Sequence, residues 1–90
     1  MESVKDKLKA RGIVLPPPPP PAGAYVPFVR TGNLVFVSGQ LPRSGDDLVK
    51  GKVGAEVSLE TAKQAARTAA LNSLAVLDSA VGLDRVKRIV

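Results

Sequence analysis

Six consecutive prolines, Pro16 to Pro21, constrain this chain more than any other feature. Each fixes its own φ and removes a backbone donor, so neither a helix nor a sheet can run through them. The run is expected as polyproline II, a stiff rod of about 19 Å at about 3.1 Å per residue. It separates an N-terminal piece, residues 1–22, from a body, residues 23–90. Such a rod can be a ligand for an aromatic-lined groove of the SH3 or WW type. It can also be an arm that lays the N-terminal piece across the body. No Arg or Lys lies within two residues of the run, which favours the arm.

Residues 2–11 predict a short surface helix, with Val4 and Leu8 on one side and Gly12 as its left-handed stop. This segment alternates charge and lacks the apolar run of a signal peptide. No stretch approaches the ~20 apolar residues that span a bilayer, so a cytoplasmic location is expected and a membrane partner is not.

The body begins with a predicted strand, Tyr25–Arg30, restricted by Pro27 to an edge or irregular position. Thr31-Gly32-Asn33 reads as a turn and Leu34–Ser38 as the returning strand of a β-hairpin. Leu34, Val35, Phe36 and Val37 are apolar without alternation, although side chains alternate faces along a strand. Both faces of this sheet are therefore expected to be covered, one by a helix and the other by a second subunit or sheet. Arg43–Asp47 reads as a polar loop, and Leu48–Val57 as holding one short, weak strand. Ser58 is an N-cap for a long helix from Leu59 to about Ala80. Its apolar stripe is read as Leu59, Ala62, Ala66, Ala70, Leu74, Leu77 and Val81. Gly82 stops it, and Val86–Val90 begins another strand. The order describes an α+β or α/β sandwich of a sheet on one long helix.

Three aromatic residues (Tyr25, Phe28, Phe36) and no Trp leave this 90-residue chain a thin core. A domain of this size buries only about 60–65 % of its unfolded surface. Oligomerisation or a further half of the domain is thus expected. The chain has neither His nor Cys, so thiolate or imidazole metal sites, Cys nucleophiles and His bases are excluded within it. Asp46 and Asp47 do not make a cation site, and Gly51-x-x-Gly54 lacks the ending of a phosphate loop. No metal site and no cofactor is expected. The net charge of +5 is spread over both ends of the sequence and is not interleaved with aromatics, so nucleic acid is not the expected partner.

The series Gly23-Ala24-Tyr25, Val29 to Leu34, and Val35-Phe36-Val37-Ser38-Gly39-Gln40 resembles the opening hairpin of the RidA/YjgF family. Gly51-Lys52-Val53-Gly54, the Ala-rich helix with Ala65-Ala66-Arg67 and Asn72, and Leu83-Asp84-Arg85-Val86 continue the likeness over residues 23–90. The resemblance implies the N-terminal half of a chorismate-mutase-like α+β fold, assembled as a homotrimer whose sheets line a central barrel. It implies hydrolysis of reactive enamines or imines, of the 2-iminobutanoate and 2-iminopropanoate type, to a ketoacid and ammonia. There an Arg grips a small carboxylate ligand in an intersubunit cleft and an ordered water attacks, with no cofactor. That Arg and the Glu beside the water belong to the family's second half, which has no counterpart here.

Tyr25, Ser38 and Gly39 carry over as cleft-lining positions: a phenol, a strand-end hydroxyl and an unobstructed backbone N–H. Arg30 is a substitute anion grip. Ser38 has no base and is not read as a nucleophile. A non-catalytic protein that binds a small ligand or a partner in the same cleft is the alternative. An endoribonuclease or translation inhibitor is the second alternative, and it requires salt-dependent RNA binding.

Overall fold

The computed structural model describes residues 2–90. Helix α1 spans Val4–Ala10. Ser3 and Asp6 form a reciprocal capping box: the Asp6 N–H donates to Ser3 Oγ at 3.0 Å, and the Ser3 N–H donates to Asp6 Oδ2 at 3.3 Å. Gly12, at φ 71°, ends the helix as expected. The N–H groups of Gly12 and Ile13 donate to the carbonyls of Lys9 and Leu8 at 3.0 and 2.9 Å, a Schellman stop.

The proline run follows as an extended arm. Pro16 and Pro19 are half-buried, whereas Pro17, Pro18, Pro20 and Pro21 are exposed. Polyproline II repeats every three residues, so one edge of the rod lies on the body. Two contacts fix α1 at the far end. Lys5 Nζ is 3.1 Å from Asp78 Oδ2, and the Val4 N–H donates to Asp84 Oδ1 at 2.7 Å.

Strands β1 (Phe28–Thr31) and β2 (Leu34–Val37) form an antiparallel hairpin with Phe28 opposite Val37 and Thr31 opposite Leu34. Only Gly32 and Asn33 lie in the turn. Gly32 has φ 56° and Asn33 does not have a positive φ, the pattern of a type II′ turn. The strand starts at Phe28 rather than Tyr25, because Pro27 has no N–H to offer the ladder. Residues 43–47, expected as a loop, belong to a second small hairpin. Its strands are β3 (Arg43–Ser44) and β4 (Asp47–Leu48), and Gly45 at φ 61° makes the turn. The strand expected within Leu48–Val57 is reduced to β4 and a single parallel bridge between Val53 and Val57, since Gly51 and Gly54 both take positive φ there.

Helix α2 runs from Leu59 to Val81. Ser58 Oγ accepts the Thr61 N–H at 3.1 Å, and Gly82, at φ 81°, closes the other end. Its buried face differs from the expected stripe. Asn72, Ala75 and Val76 are buried, with Ala65 and Ala69 half-buried above them. Ala66 and Ala70 are exposed, and Leu59 is 63 % exposed. Ala62, Leu74, Leu77 and Val81 of the expected stripe are half-buried, so in the body of the helix the departure lies at Ala66 and Ala70, where the residue one position earlier faces inward. Asn72 lies on that inward line and is held by the hydrogen bonds described below. The strand expected at Val86–Val90 does not form. A 3-10 turn at Leu83–Arg85 follows the helix, and among the described residues no strand pairs with 86–90.

Helix α2 packs against β1, β2 and β3, so the architecture is a small antiparallel sheet on one long helix. It matches half of a chorismate-mutase-like α+β fold. Residues opposite one another share a face. Val35, Val37 and Phe28 are half-buried against the helix side. On the outer face Val29, Leu34 and Phe36 are 54, 55 and 59 % exposed. The expected cover on that second face is thus not supplied by this chain. The core is small: Val57, Ala75, Val76 and Leu83, plus Asn72. The accessible surface is 6948 Å², against about 5000 Å² for a compact monomer of this mass. The radius of gyration is 14.4 Å, against about 12 Å for a compact domain of this length. No described helix is long and apolar enough to cross a membrane.

Candidate functional site

The open end of the β1–β2 hairpin gathers most of the expected site residues. Beyond the last strand pair, Ser38 continues the ladder: its N–H donates to the Pro27 carbonyl at 2.9 Å. Its hydroxyl donates to the Val26 carbonyl at 2.6 Å. Pro27 can only accept, so this arrangement suits a proline position and commits the Ser38 hydroxyl to the backbone. Gln40 Nε2 donates to the Ser38 carbonyl at 3.1 Å and braces the same corner.

Tyr25 stands beside this corner, and its phenol oxygen accepts the Ala22 N–H at 3.1 Å. A Cβ on Gly23 would meet the Tyr25 ring at 3.2 and 3.3 Å, so glycine there lets the ring lie against the backbone. Gly39 is different. Its φ is unremarkable, and a Cβ would meet nothing within 4 Å. Nothing in the chain itself requires glycine at position 39, and the space it leaves faces outward. Its N–H has no backbone or side-chain partner among the described residues.

Tyr25 and Gly39 line one groove together with Arg43 and with Pro19, Pro20 and Pro21 of the arm. The free space in it is about 20 Å³, room for one water. Arg30 is elsewhere. It lies opposite Val35 toward the turn, and its Nε donates to the Gly32 carbonyl at 3.2 Å.

Two residues central to this geometry were not singled out as site residues in the sequence. Asn72, 2 % exposed, donates through Nδ2 to the carbonyls of Leu41 at 3.0 Å and Arg43 at 2.9 Å. It ties the segment after Ser38-Gly39-Gln40 to the middle of α2. Arg43 is half-buried, held by that bond and by its own N–H donating to the Leu41 carbonyl at 2.8 Å. The inward helix face, with Asn72 in register with Ala65, Ala69 and Val76, is the sequence signal for the first. Arg43 carries no signal beyond its place three residues after Gln40.

The groove thus combines a phenol, a free backbone N–H and a guanidinium against a rigid apolar wall. Those groups can hydrogen-bond or attract an anion, although the groove in the single chain has room for one water only, and none of the described residues lining it is suited to act as a general base at neutral pH.

The fold and site define a class: an antiparallel hairpin sheet laid on one long helix, with a polar corner where the hairpin opens. No family model matches the chain. It is 39 % identical over 89 residues to Protein TCP17 of Trypanosoma cruzi, a match covering 97 % of this chain and 56 % of that protein. A candidate endoribonuclease from Shewanella oneidensis superposes with a TM-score of 0.88 at 34 % identity. That match covers 97 % of this chain and 59 % of the other. A protein of unknown function from Agrobacterium tumefaciens superposes at 0.76 with 38 % identity, over 92 % of this chain and 50 % of the other. The chain therefore spans between half and three-fifths of the relatives it matches. With the motif series over residues 23–90, it carries the N-terminal part of a RidA/YjgF-like domain.

Proposed function

We propose that this chain is the N-terminal part of a cytoplasmic, RidA-like hydrolase of reactive imines and enamines. The reaction adds water across the C=N bond of a small amino-acid-derived imine and releases a ketoacid and ammonia. The observation that carries the reading is the groove at the open end of the hairpin. There Tyr25 and Gly39 converge, and Gly39 is a glycine the chain's own backbone does not need. Close approach of a ligand or a neighbouring subunit accounts for it. The bare outer face of Val29, Leu34 and Phe36 supports assembly as a homotrimer, since the one helix layer covers only the opposite face. A second subunit would add the wall that a groove of about 20 Å³ lacks.

The test is hydrolysis of an imine made in place from an L-amino acid by an oxidase, read as loss of imine trapping by semicarbazide. The reading expects the protein to outcompete the trap. Trapping unchanged by an assembled protein would count against catalysis and favour the binding-only alternative. The likeness to a candidate endoribonuclease supports RNA as a second substrate class. That reading requires RNA binding that weakens steeply with salt, and undetectable binding at low salt would end it.

A further inference from the structure

Polyproline II repeats every three residues, so a rod of six prolines has three edges of two rings each. One edge, Pro16 with Pro19, is half-buried against the body. The other two, Pro17 with Pro20 and Pro18 with Pro21, are exposed. Along each exposed edge the two residues stand about 9 Å apart. Both edges are therefore free Pro-x-x-Pro pairs, on the side of the rod turned away from the body. No carbonyl of the run accepts a backbone hydrogen bond from a described residue, so its acceptors are open to a partner.

The rod is also held at both ends. The stop at Gly12 and the contacts of α1 with Asp78 and Asp84 fix the first end. The Ala22 N–H, donating to the Tyr25 hydroxyl at 3.1 Å, fixes the second. A partner thus binds it with little further loss of backbone freedom. The sequence puts no cation beside the run, but the fold does. Lys9 of α1 is exposed and lines the same open groove, of about 610 Å³, as Pro16, Pro17 and Pro18. The two ion pairs among the described residues use Lys5 and Lys63, which leaves Lys9 without a carboxylate.

We propose that the docked arm is a binding ridge for a partner protein with an aromatic-lined groove of the SH3 type, whose acidic rim meets Lys9. Pro17-Pro18 and Pro20-Pro21 fill two successive slots between the partner's aromatic side chains, and its donors reach the free proline carbonyls. The body covers only the third edge, the one that such a groove leaves uncovered, so docking the arm and reading it do not compete. The cation comes from a separate helix, so recognition needs the arm in its folded place and not the proline run alone. An acidic rim is also steered toward a chain of net charge +5. This surface does not depend on the proposed imine chemistry.

The probe is a panel of purified SH3 domains, each immobilised and titrated with the whole protein by surface plasmon resonance. At least one is expected to bind reversibly, with an association rate that falls as salt rises. Pro17→Ala combined with Pro20→Ala is expected to weaken that binding about 10-fold or more, as loss of contacts at the centre of an interface does. Pro16→Ala combined with Pro19→Ala, on the edge against the body, is expected to bind within about 3-fold of the parent. Lys9→Gln is expected to slow association and flatten its salt dependence. Arg67→Gln, on the exposed face of α2, lowers the total charge equally and is expected to do neither. Amide hydrogen exchange of residues 4–13 checks that the arm stays docked in each variant. Parent-like affinity in Pro17→Ala with Pro20→Ala overturns the ridge. Equal loss in the two proline pairs, with the arm docked in both, overturns the assignment of edges. Equal slowing in Lys9→Gln and Arg67→Gln reduces the cation to net charge and overturns its part. Binding by no member of the panel overturns the proposal as a whole.

Discussion

The carboxylate of Asp84 accepts the backbone N–H of Val4 at 2.7 Å, joining residues 80 positions apart. Val4 opens α1, where the first N–H groups have no partner within the helix. Asp84 thus caps a helix from outside it. Nearby, Asp78 stands in the last turn of α2, where a negative charge opposes the helix dipole. That turn has no basic residue of its own, and Lys5 of α1 supplies the cation. The two contacts hold the N-terminal helix, and with it the proline arm, against the body. Asp84→Ala is expected to cost about 1 kcal/mol of arm docking. Amide hydrogen exchange should rise in residues 4–13 while the core of α2 stays protected. Equal protection of α1 in the variant would show that the arm does not depend on this contact.

The Lys5–Asp78 pair is a different kind of contact, because the Lys5 side chain is 67 % exposed. An ion pair of that exposure contributes about 0.2–1 kcal/mol and is screened by salt. Lys5→Ala is expected to loosen α1 at low ionic strength and to make little difference in high salt, read by the same exchange measurement. A variant effect that grows with salt would assign Lys5 a packing role instead.

Among the described residues Asn72 is the one buried polar residue of the core; it donates to two carbonyls, and that of Arg43 depends on it. Asn72→Leu leaves the Arg43 carbonyl without its donor, while the Leu41 carbonyl keeps the Arg43 N–H, and is expected to cost about 1–3 kcal/mol by thermal unfolding. Asn72→Asp should be worse at neutral pH. An ionised carboxylate only accepts, so it would face two acceptors. Its defect should shrink in acid, when the protonated form can donate to one of them. A neutral Asn72→Leu would mean that water replaces the amide.

Two glycines separate backbone need from ligand need. Gly32 sits at φ 56°, so Gly32→Ala is expected to cost about 1 kcal/mol through backbone strain alone. Gly39 has neither a positive φ nor a neighbour for a new Cβ. Gly39→Ala is expected to unfold within about 0.5 kcal/mol of the parent, yet to lose imine hydrolysis. Loss of stability without loss of hydrolysis at Gly39 would reverse that assignment.

Much of the fold was legible because its signals are local. Ser58 and Gly82 bound the long helix, Gly12 stops the short one, and the Gly32-Asn33 turn sets the hairpin register. What was not legible depends on partners far away in sequence. The inward placing of Ala65 and Ala69 goes with Asn72 reaching carbonyls 29 and 31 residues upstream, which no periodicity of apolar residues records. The strand read into Val86–Val90 has the right residues and, among the described ones, no neighbouring strand. Around the candidate site, Tyr25, Ser38 and Gly39 were named through the family resemblance, and the structure places them near one strand end. Arg43 was not, because its place in the groove is set by the second hairpin and by Asn72.

The outer face of the hairpin is where the account can be tested as an assembly. Phe36 is 59 % exposed on the outer face, opposite Val29, so Phe36→Asp is expected to leave the chain folded and to convert the proposed trimer to monomers by sedimentation. An unchanged mass would place the subunit contact elsewhere.

The central claim is that an anchored arm, a hairpin corner and a neighbouring subunit together make a site that hydrates imines. The most direct measurement is the rate at which the assembled protein converts an oxidase-generated imine to ketoacid and ammonia in competition with semicarbazide, in the parent and in Gly39→Ala. The account predicts that the parent outruns the trap and that Gly39→Ala, folded and assembled, does not. A parent rate equal to the uncatalysed background, in protein shown to be trimeric, would contradict it.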